Sequence, residues 1–182
     1  MPALTSLHIA TTLGQLVHYD IPALIMIRAP NLKAVRLEGM TFGMKESYSK
    51  FIPCKLHSLI LIRCDVKTDM FKDMLCRSGR SLRVLHLEHV TGASRDILAQ
   101  IISTHLPEMT KLTVVMPEAL ALSSGMLEMH EILDTALMTP LLSLNELYAA
   151  GMCITDVGLL RAQNRIGESY LHFLLVRASF LL

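Results

Sequence analysis

The residues best suited to chemistry in this chain are His86, Glu88 and His89, which stand close together in the sequence. Alternate side chains of an extended strand point to the same side, so His86 and Glu88 would share one face. A zinc site needs three or four converging ligands. The residues expected beside His86 in neighbouring strands are Ile60 and Thr113, so only two ligands converge. Ordinary solvated strand residues are therefore the favoured interpretation.

The four cysteines, Cys54, Cys64, Cys76 and Cys153, are the candidate nucleophiles. A catalytic thiol needs a histidine partner and surroundings that lower its pKa. No such partner is recognisable, and Cys64 and Cys76 fall at positions expected in the interior. No glycine-rich phosphate loop, Ser-His-Asp order or paired-carboxylate pattern stands out either. The sequence therefore predicts no catalytic residue, no metal site and no cofactor.

Composition narrows the class of partner and the compartment. Lys and Arg number 17 and Asp and Glu number 16, which gives a net charge of +1 and no electrostatic footprint for nucleic acid or an anionic membrane. The longest apolar runs are interrupted and fall short of the roughly 18 residues that a spanning helix needs. We therefore expect no nucleic-acid or membrane partner. Irregularly spaced cysteines favour a reducing compartment, the cytosol or the nucleus.

A repeated strand is the element that positions these side chains. The segment Leu82–Val90 reads Leu-x-x-Leu-x-Leu-x-x-Val, and the same apolar skeleton recurs along the chain. The copies begin at Leu4, Leu32, Leu56, Leu82, Met109, Leu144 and Leu171, the first and last being weaker. Consecutive starts are 28, 24, 26, 27, 35 and 27 residues apart, and a period in this range is typical of a solenoid. The longest interval predicts a longer loop over residues 117–125.

A helix is predicted after each strand, which gives an α/β solenoid of about seven strand-helix units with a parallel sheet on its concave side. The candidate helices are Leu13 to Ile27, Lys45 to Ile52, Thr68 to Arg77, Ser94 to Leu106, Gly125 to Met138 and Asp156 to Ile166. In the third helix, Thr68 or Asp69 would cap the amino end and Gly79 would stop the helix.

With these residues in view, the chain resembles a leucine-rich repeat protein of the intracellular, ribonuclease-inhibitor-like and cysteine-containing subtypes. Residues 147–159 are similar to the family's Leu-x-Leu-x-x-Asn-x-Ile-Thr-Asp-x-Gly-Leu, with Ala149 for Leu and Met152 for Asn. The resemblance implies that Cys64 satisfies backbone groups in the turn leaving its strand. It implies one leucine-rich repeat domain over residues 1–182, and the apolar end Leu171–Leu182 is consistent with a fragment of a longer array.

The Pro30-Asn31-Leu32 and Leu82–Leu87 segments are similar to the repeat regions of F-box proteins, which present substrates to a ubiquitin ligase. The resemblance implies a non-catalytic protein-protein interaction module. Its narrower form is substrate recognition for an F-box-type ubiquitin ligase adaptor, with ubiquitin ligase components as partners. The alternative is a repeat-built regulator of a GTPase, of the GTPase-activating type.

The outward-facing side chains of the concave strands are the predicted binding surface for the protein partner. They would combine an apolar centre with charged surroundings, as protein interfaces do. The predicted partner-binding residues are Arg36, Glu38, Ile60, Ile62, Arg63, His86 and Glu88. β-Branched residues are also good strand formers, so a purely structural role for the two isoleucines stays open at this stage.

Overall fold

A parallel sheet of six strands, each five residues long, organises the chain. The computed structural model describes residues 3–11, 18–19, 28–42, 55–92, 108–115 and 146–150. The strands are β1 (Ser6–Ala10), β3 (Ala34–Glu38), β5 (Ser58–Ile62), β7 (Val84–Glu88), β8 (Lys111–Val115) and β9 (Glu146–Ala150), and they lie side by side in chain order. Together with a helix described below, the sheet confirms the predicted α/β, parallel-sheet character.

Each of these strands begins two residues after the start of its sequence repeat, as at Leu56 and Ser58. The strands pair without a register shift, so that Leu61 of β5 lies opposite Leu37 of β3 and Leu87 of β7. The seventh predicted strand, after Leu171, lies outside the described residues.

The interior is a stack of repeat leucines. In β5, Leu59 and Leu61 are 1% and 0% exposed, whereas Ile60 and Ile62 on the other side are half-buried. Because side chains alternate across a strand, one side of the sheet packs inward and the other stays partly open. Burying a leucine contributes about 1.5–3 kcal/mol, so the repeated leucines supply the main force that stacks the units.

The helix α1 (Thr68–Ser78) matches the predicted Thr68 to Arg77 to within one residue. Its apolar side chains Phe71, Met74 and Leu75 are fully buried. The other predicted helices, except Leu13 to Ile27, lie outside the described residues.

The predicted cap of α1 is wrong. Lys67 occupies the capping position without a side-chain hydrogen bond, and Thr68 and Asp69 are the first two residues of the helix. The Thr68 hydroxyl donates to the Gly92 carbonyl of the next unit. Gly79 does follow the helix, as predicted, but in a right-handed conformation with φ −48°. A tertiary contact has therefore replaced the local cap.

A second, smaller parallel sheet was not predicted. It consists of β2 (His18–Tyr19), β4 (Thr41–Phe42) and β6 (Asp65–Val66). The predicted helix from Leu13 to Ile27 is wrong at His18–Tyr19, because that backbone pairs with β4. Each short strand of the second and third units follows a long strand after a tight turn, so the chain leaves one sheet and enters the other within a few residues.

The turn after the long strand has the same backbone shape in three consecutive units. Gly39, Arg63 and His89, which follow β3, β5 and β7, have φ values of 66°, 51° and 50°. Their amides donate to the last carbonyl of the next strand, as Arg63 N does to Glu88 O at 2.7 Å. The left-handed residue thus ends the strand without losing its hydrogen bond.

The residue after this turn points back into the core, and in the third unit it is Cys64, which is 2% exposed. Its thiol lies 3.3 Å from the Leu37 carbonyl and 3.4 Å from the Ile62 carbonyl. Burial raises the pKa of the Cys64 thiol, although nearby backbone groups partly offset that effect. Cys64 therefore satisfies backbone groups as expected and is held as a neutral thiol.

The alternation within β5 predicts opposite outcomes for two adjacent substitutions. Leu61→Asp places a charge in the core and should lower the free energy of unfolding by roughly 4 kcal/mol or more, whereas Ile60→Asp should cost roughly 1 kcal/mol. Urea unfolding followed by circular dichroism measures both. Equal losses would show that the two side chains do not lie on opposite sides of the sheet.

The left-handed turn predicts an unusual order of substitutions at Arg63. Arg63→Gly should leave stability unchanged or raise it by up to about 1 kcal/mol, whereas Arg63→Val should cost about 1–2 kcal/mol, because β-branched residues avoid positive φ. Arg36, within β3, is the matched control. At position 36, the valine variant should be more stable than the glycine variant, as measured by urea unfolding. If glycine and valine rank in the same order at positions 36 and 63, Arg63 does not have a left-handed backbone conformation.

Candidate protein-binding surface

The side of the main sheet opposite the buried leucines, called the open face below, aligns the predicted partner-binding residues in two rows. Both rows cross β3, β5 and β7, which lie about 4.8 Å apart. Strand pairing puts Arg36, Ile60 and His86 in the first row and Glu38, Ile62 and Glu88 in the second. Six of the seven predicted residues are thus brought together.

Arg63, the seventh, is not on a strand. It occupies the left-handed turn directly after β5 and is exposed. The prediction that all seven residues belong to three adjacent strands is therefore wrong for Arg63, because β5 ends at Ile62. In the chain it directly follows Ile62 of the second row.

Ile60 and Ile62 are half-buried, although they are on the open side. Each is flanked by longer side chains in the same row, Arg36 and His86 beside Ile60 and the two glutamates beside Ile62. A neighbouring strand is close enough for its side chains to shield part of an isoleucine. The two isoleucines thus form an apolar strip between two charged columns.

The column on β3 is a charged network of three residues. The Arg36 guanidinium approaches Glu38 at 2.5 Å (Nε to Oε1), and His8 of β1 lies 3.3 Å from the same carboxylate oxygen. The hydrogen bond from Arg36 holds the pKa of Glu38 below its ordinary value. Partial burial acts in the opposite direction and raises this pKa, whereas the attraction of Arg36, and to a smaller extent the contact with His8, lowers it further. Glu38 therefore stays ionised over the neutral pH range.

The column on β7 is a pair of hydrogen-bonded side chains, His86 and Glu88, on one strand. His86 Nε2 lies 3.2 Å from Glu88 Oε2, and the two side chains are 26% and 36% exposed. Further along the open face, Lys111 of β8 pairs with Glu146 of β9 at 2.5 Å. Each carboxylate in this list has a basic side chain within hydrogen-bonding distance.

Beyond His86 and Glu88, the open face continues onto β8. Thr113, next to His86, is only 5% exposed, although the sequence placed it on the outward side. A short side chain opposite a histidine is easily covered, which accounts for its burial. Val115, opposite Glu88, is half-buried.

The histidines and cysteines were the candidates for metal binding and nucleophilic chemistry. Among the described residues, no group of three His, Cys, Asp or Glu side chains could hold a metal ion. His89 lies in the left-handed turn directly after β7, rather than on the strand that carries His86 and Glu88. Cys64 is buried as expected, but Cys76 is half-buried rather than interior. Cys54 and Cys153 lie outside the described residues.

His8 is a residue of this surface that the predicted set left out. It pairs with Arg36 in the strand register and contacts Glu38. The sequence held a signal for it, because aligning the weak repeat at Leu4 with the repeat at Leu32 puts His8 opposite Arg36.

No protein-family model, curated protein or solved structure matches this chain. Within the described residues, no helix has the length and apolar character that crossing a membrane requires.

The network on β3 predicts an electrostatic effect at Glu38. Arg36→Gln should raise the pKa of Glu38 towards the ordinary glutamate value of 4.5, because it removes the main hydrogen bond and the nearest positive charge. In the unaltered chain this carboxylate stabilises the fold above about pH 4.5, and that contribution is lost as pH falls through the lower folded-state pKa. The measurement is a carboxyl-carbon NMR titration of Glu38.

The control for this titration is Arg83→Gln. Arg83 pairs with Glu108 at 3.3 Å and belongs to a different ion pair, so the pKa of Glu38 should stay unchanged. A Glu38 pKa that is equal in the Arg36→Gln variant and the unaltered chain would contradict the network.

Proposed function

We propose that this chain is a non-catalytic protein-interaction module, built as a leucine-rich repeat solenoid of about seven strand-helix units, and that it binds a protein partner on the open face. The observation that supports this most is the position of Ile60 and Ile62. They lie side by side between the Arg36–Glu38 pair and the His86–Glu88 pair.

The apolar strip is the expected source of affinity. Burying a whole isoleucine side chain contributes about 1.5–3 kcal/mol, and these two are already half-buried, so covering both should contribute roughly that amount in total. Isoleucine is stiff about its first side-chain torsion, so little conformational entropy is lost when a partner covers it. Ile60 and Ile62 are therefore the proposed anchors.

The charged columns are the expected source of specificity. Exposed ion pairs contribute only about 0–1 kcal/mol each, so they hold side chains in place more than they stabilise the fold. A partner that meets Arg36 with an acid and Glu88 with a base would be oriented across the strands. A partner with like charges at those points would be disfavoured.

The narrower proposal is that the partner is a substrate of an F-box-type ubiquitin ligase, and that the chain acts in the cytosol or nucleus. Its support is the similarity of the Pro30-Asn31-Leu32 and Leu82–Leu87 segments to F-box repeat regions. Ubiquitin ligase components should then be recovered with the full-length protein. GTP hydrolysis by a panel of small GTPases should stay at its intrinsic rate when the chain is added.

The proposed anchors predict how partner binding responds to substitution. Ile60→Asp and Ile62→Asp should each weaken the partner by about tenfold or more, which is about 1.4 kcal/mol, while the fold is retained. The measurement is quantitative affinity capture with the intact chain, followed by titration of the recovered partner against each variant.

Ala10→Asp is the matched control for this titration. Ala10 is exposed and lies in the same row as Ile62, two strands away. The Ala10→Asp substitution therefore adds the same negative charge to the open face, but outside the apolar strip. Binding should then stay within about twofold of the unaltered chain. If both isoleucine variants fold and bind at full strength, the open face is not the docking surface, and residues 117–125 become the next segment to test.

A further inference from the structure

A cleft of about 500 Å³ opens at the amino-terminal ends of β5 and β7, away from the ends that carry Glu38 and Glu88. It lies between the segment that leads into β5 and the carboxyl end of α1. The described residues that line it are Lys55, His57, Cys76, Arg77, Arg80 and Ser81. Its volume is in the range of small-molecule sites, which is about 300–1,000 Å³.

The charge of this cleft is unusual for a chain whose net charge is only +1. Three of its lining residues, Lys55, Arg77 and Arg80, are cationic, and none of the described lining residues is acidic. They come from three places: the approach to β5, the last turn of α1 and the turn that follows α1. Like charges brought together from separate segments repel one another unless an anion joins them.

Lys55 and Arg80 carry this argument. Arg77 has a local reason for its position, because a cation in the last turn of a helix interacts favourably with the helix end, and it already interacts with another residue. Lys55 and Arg80 are exposed and outside the helix, and no salt bridge within the described ranges involves either of them.

The backbone beneath these cations is fixed. Leu56 and Leu82, each adjacent to lining residues, are 0% exposed. The Ser81 hydroxyl lies 2.9 Å from the Leu56 carbonyl and 3.0 Å from the Ser78 carbonyl, which ties the approach to β5 to the end of α1. The distance between the two cationic segments is therefore held by the core, as a preorganised binding site requires.

We propose that this cleft binds the phosphate group of a small phosphorylated molecule. A phosphate dianion accepts hydrogen bonds from several directions, which suits a lysine ammonium and an arginine fork supplied by two different segments of the cleft lining. This site is separate from the Ile60–Ile62 strip, because none of its described lining residues belongs to a strand of the main sheet.

The test uses inorganic phosphate, pyrophosphate and glycerol phosphate as probes, each titrated calorimetrically into the full chain at constant ionic strength. Lys55→Gln combined with Arg80→Gln should weaken pyrophosphate binding by about tenfold or more. Lys67→Gln combined with Lys72→Gln is the matched control, since both lysines are exposed on or beside α1 and the loss of charge is the same. That variant should bind within about twofold of the unaltered chain.

The reactivity of Cys76 can show whether the probe binds in the cleft. It lines the cleft and is half-buried, whereas Cys64 is buried in the core. Pyrophosphate should slow the alkylation of Cys76 by iodoacetamide, as followed by peptide mass spectrometry, and the Lys55→Gln/Arg80→Gln variant should lose this protection.

The three probes also separate the possible sources of the phosphate. Tighter binding of glycerol phosphate than of inorganic phosphate indicates a phosphomonoester, and the reverse order indicates the free anion. If the unaltered chain binds none of the three probes, or if the control variant loses as much affinity as the cleft variant, the proposal is overturned.

Discussion

The in-register pairing of parallel strands is the constraint on which the rest of this structure depends. At the starts of β1, β3, β5 and β7, one carbonyl accepts two amides of the next unit, as Lys33 O does from His57 N at 2.7 Å and Ser58 N at 3.0 Å. At the end, the turn amide donates to the last carbonyl of the next strand. A slip by one residue would break both contacts and turn the leucines outward, so backbone pairing and side-chain burial enforce the same register.

That register also builds the open face. Once Leu59 and Leu61 are committed to the core, Ile60 and Ile62 must face the other way, with the side chains of β3 and β7 on either side. The ion pairs around them join residues two positions apart on one strand, which is the spacing that puts two side chains on one face. No special backbone geometry is needed to assemble this surface, and its composition can change without altering the core.

Much of the fold could be predicted because the apolar residues of each repeat recur at fixed positions, and these positions define how neighbouring strands pair. The leucine skeleton gives the start of each described long strand, and helical spacing gives α1 almost to the residue. The second sheet could not be predicted, because strands of two residues such as Asp65–Val66 show no periodicity. The left-handed turns could not be predicted either, because only one of the three positions is glycine, and an arginine such as Arg63 does not indicate a positive φ.

The surface was less predictable than the fold for a different reason. Which residues face outward follows from alternation, but which charges pair depends on neighbouring units that are far apart in the chain, such as His8 and Glu38. The cleft depends on three segments that meet only after α1 packs against the strands, so no local pattern marks it. Spacing therefore predicts the direction of a side chain better than it predicts its partner.

Side chains must carry any recognition at either end of the central strands. In many anion sites, free backbone amides in a turn or at a helix start hold the ligand. Here the left-handed turn amides of Gly39, Arg63 and His89 already donate to the next unit, and the carbonyls at the other end of the strands, such as that of His57, already accept. Because the ladder uses these backbone groups, binding to the open face or to the cleft depends on groups that substitution can remove without disturbing the ladder.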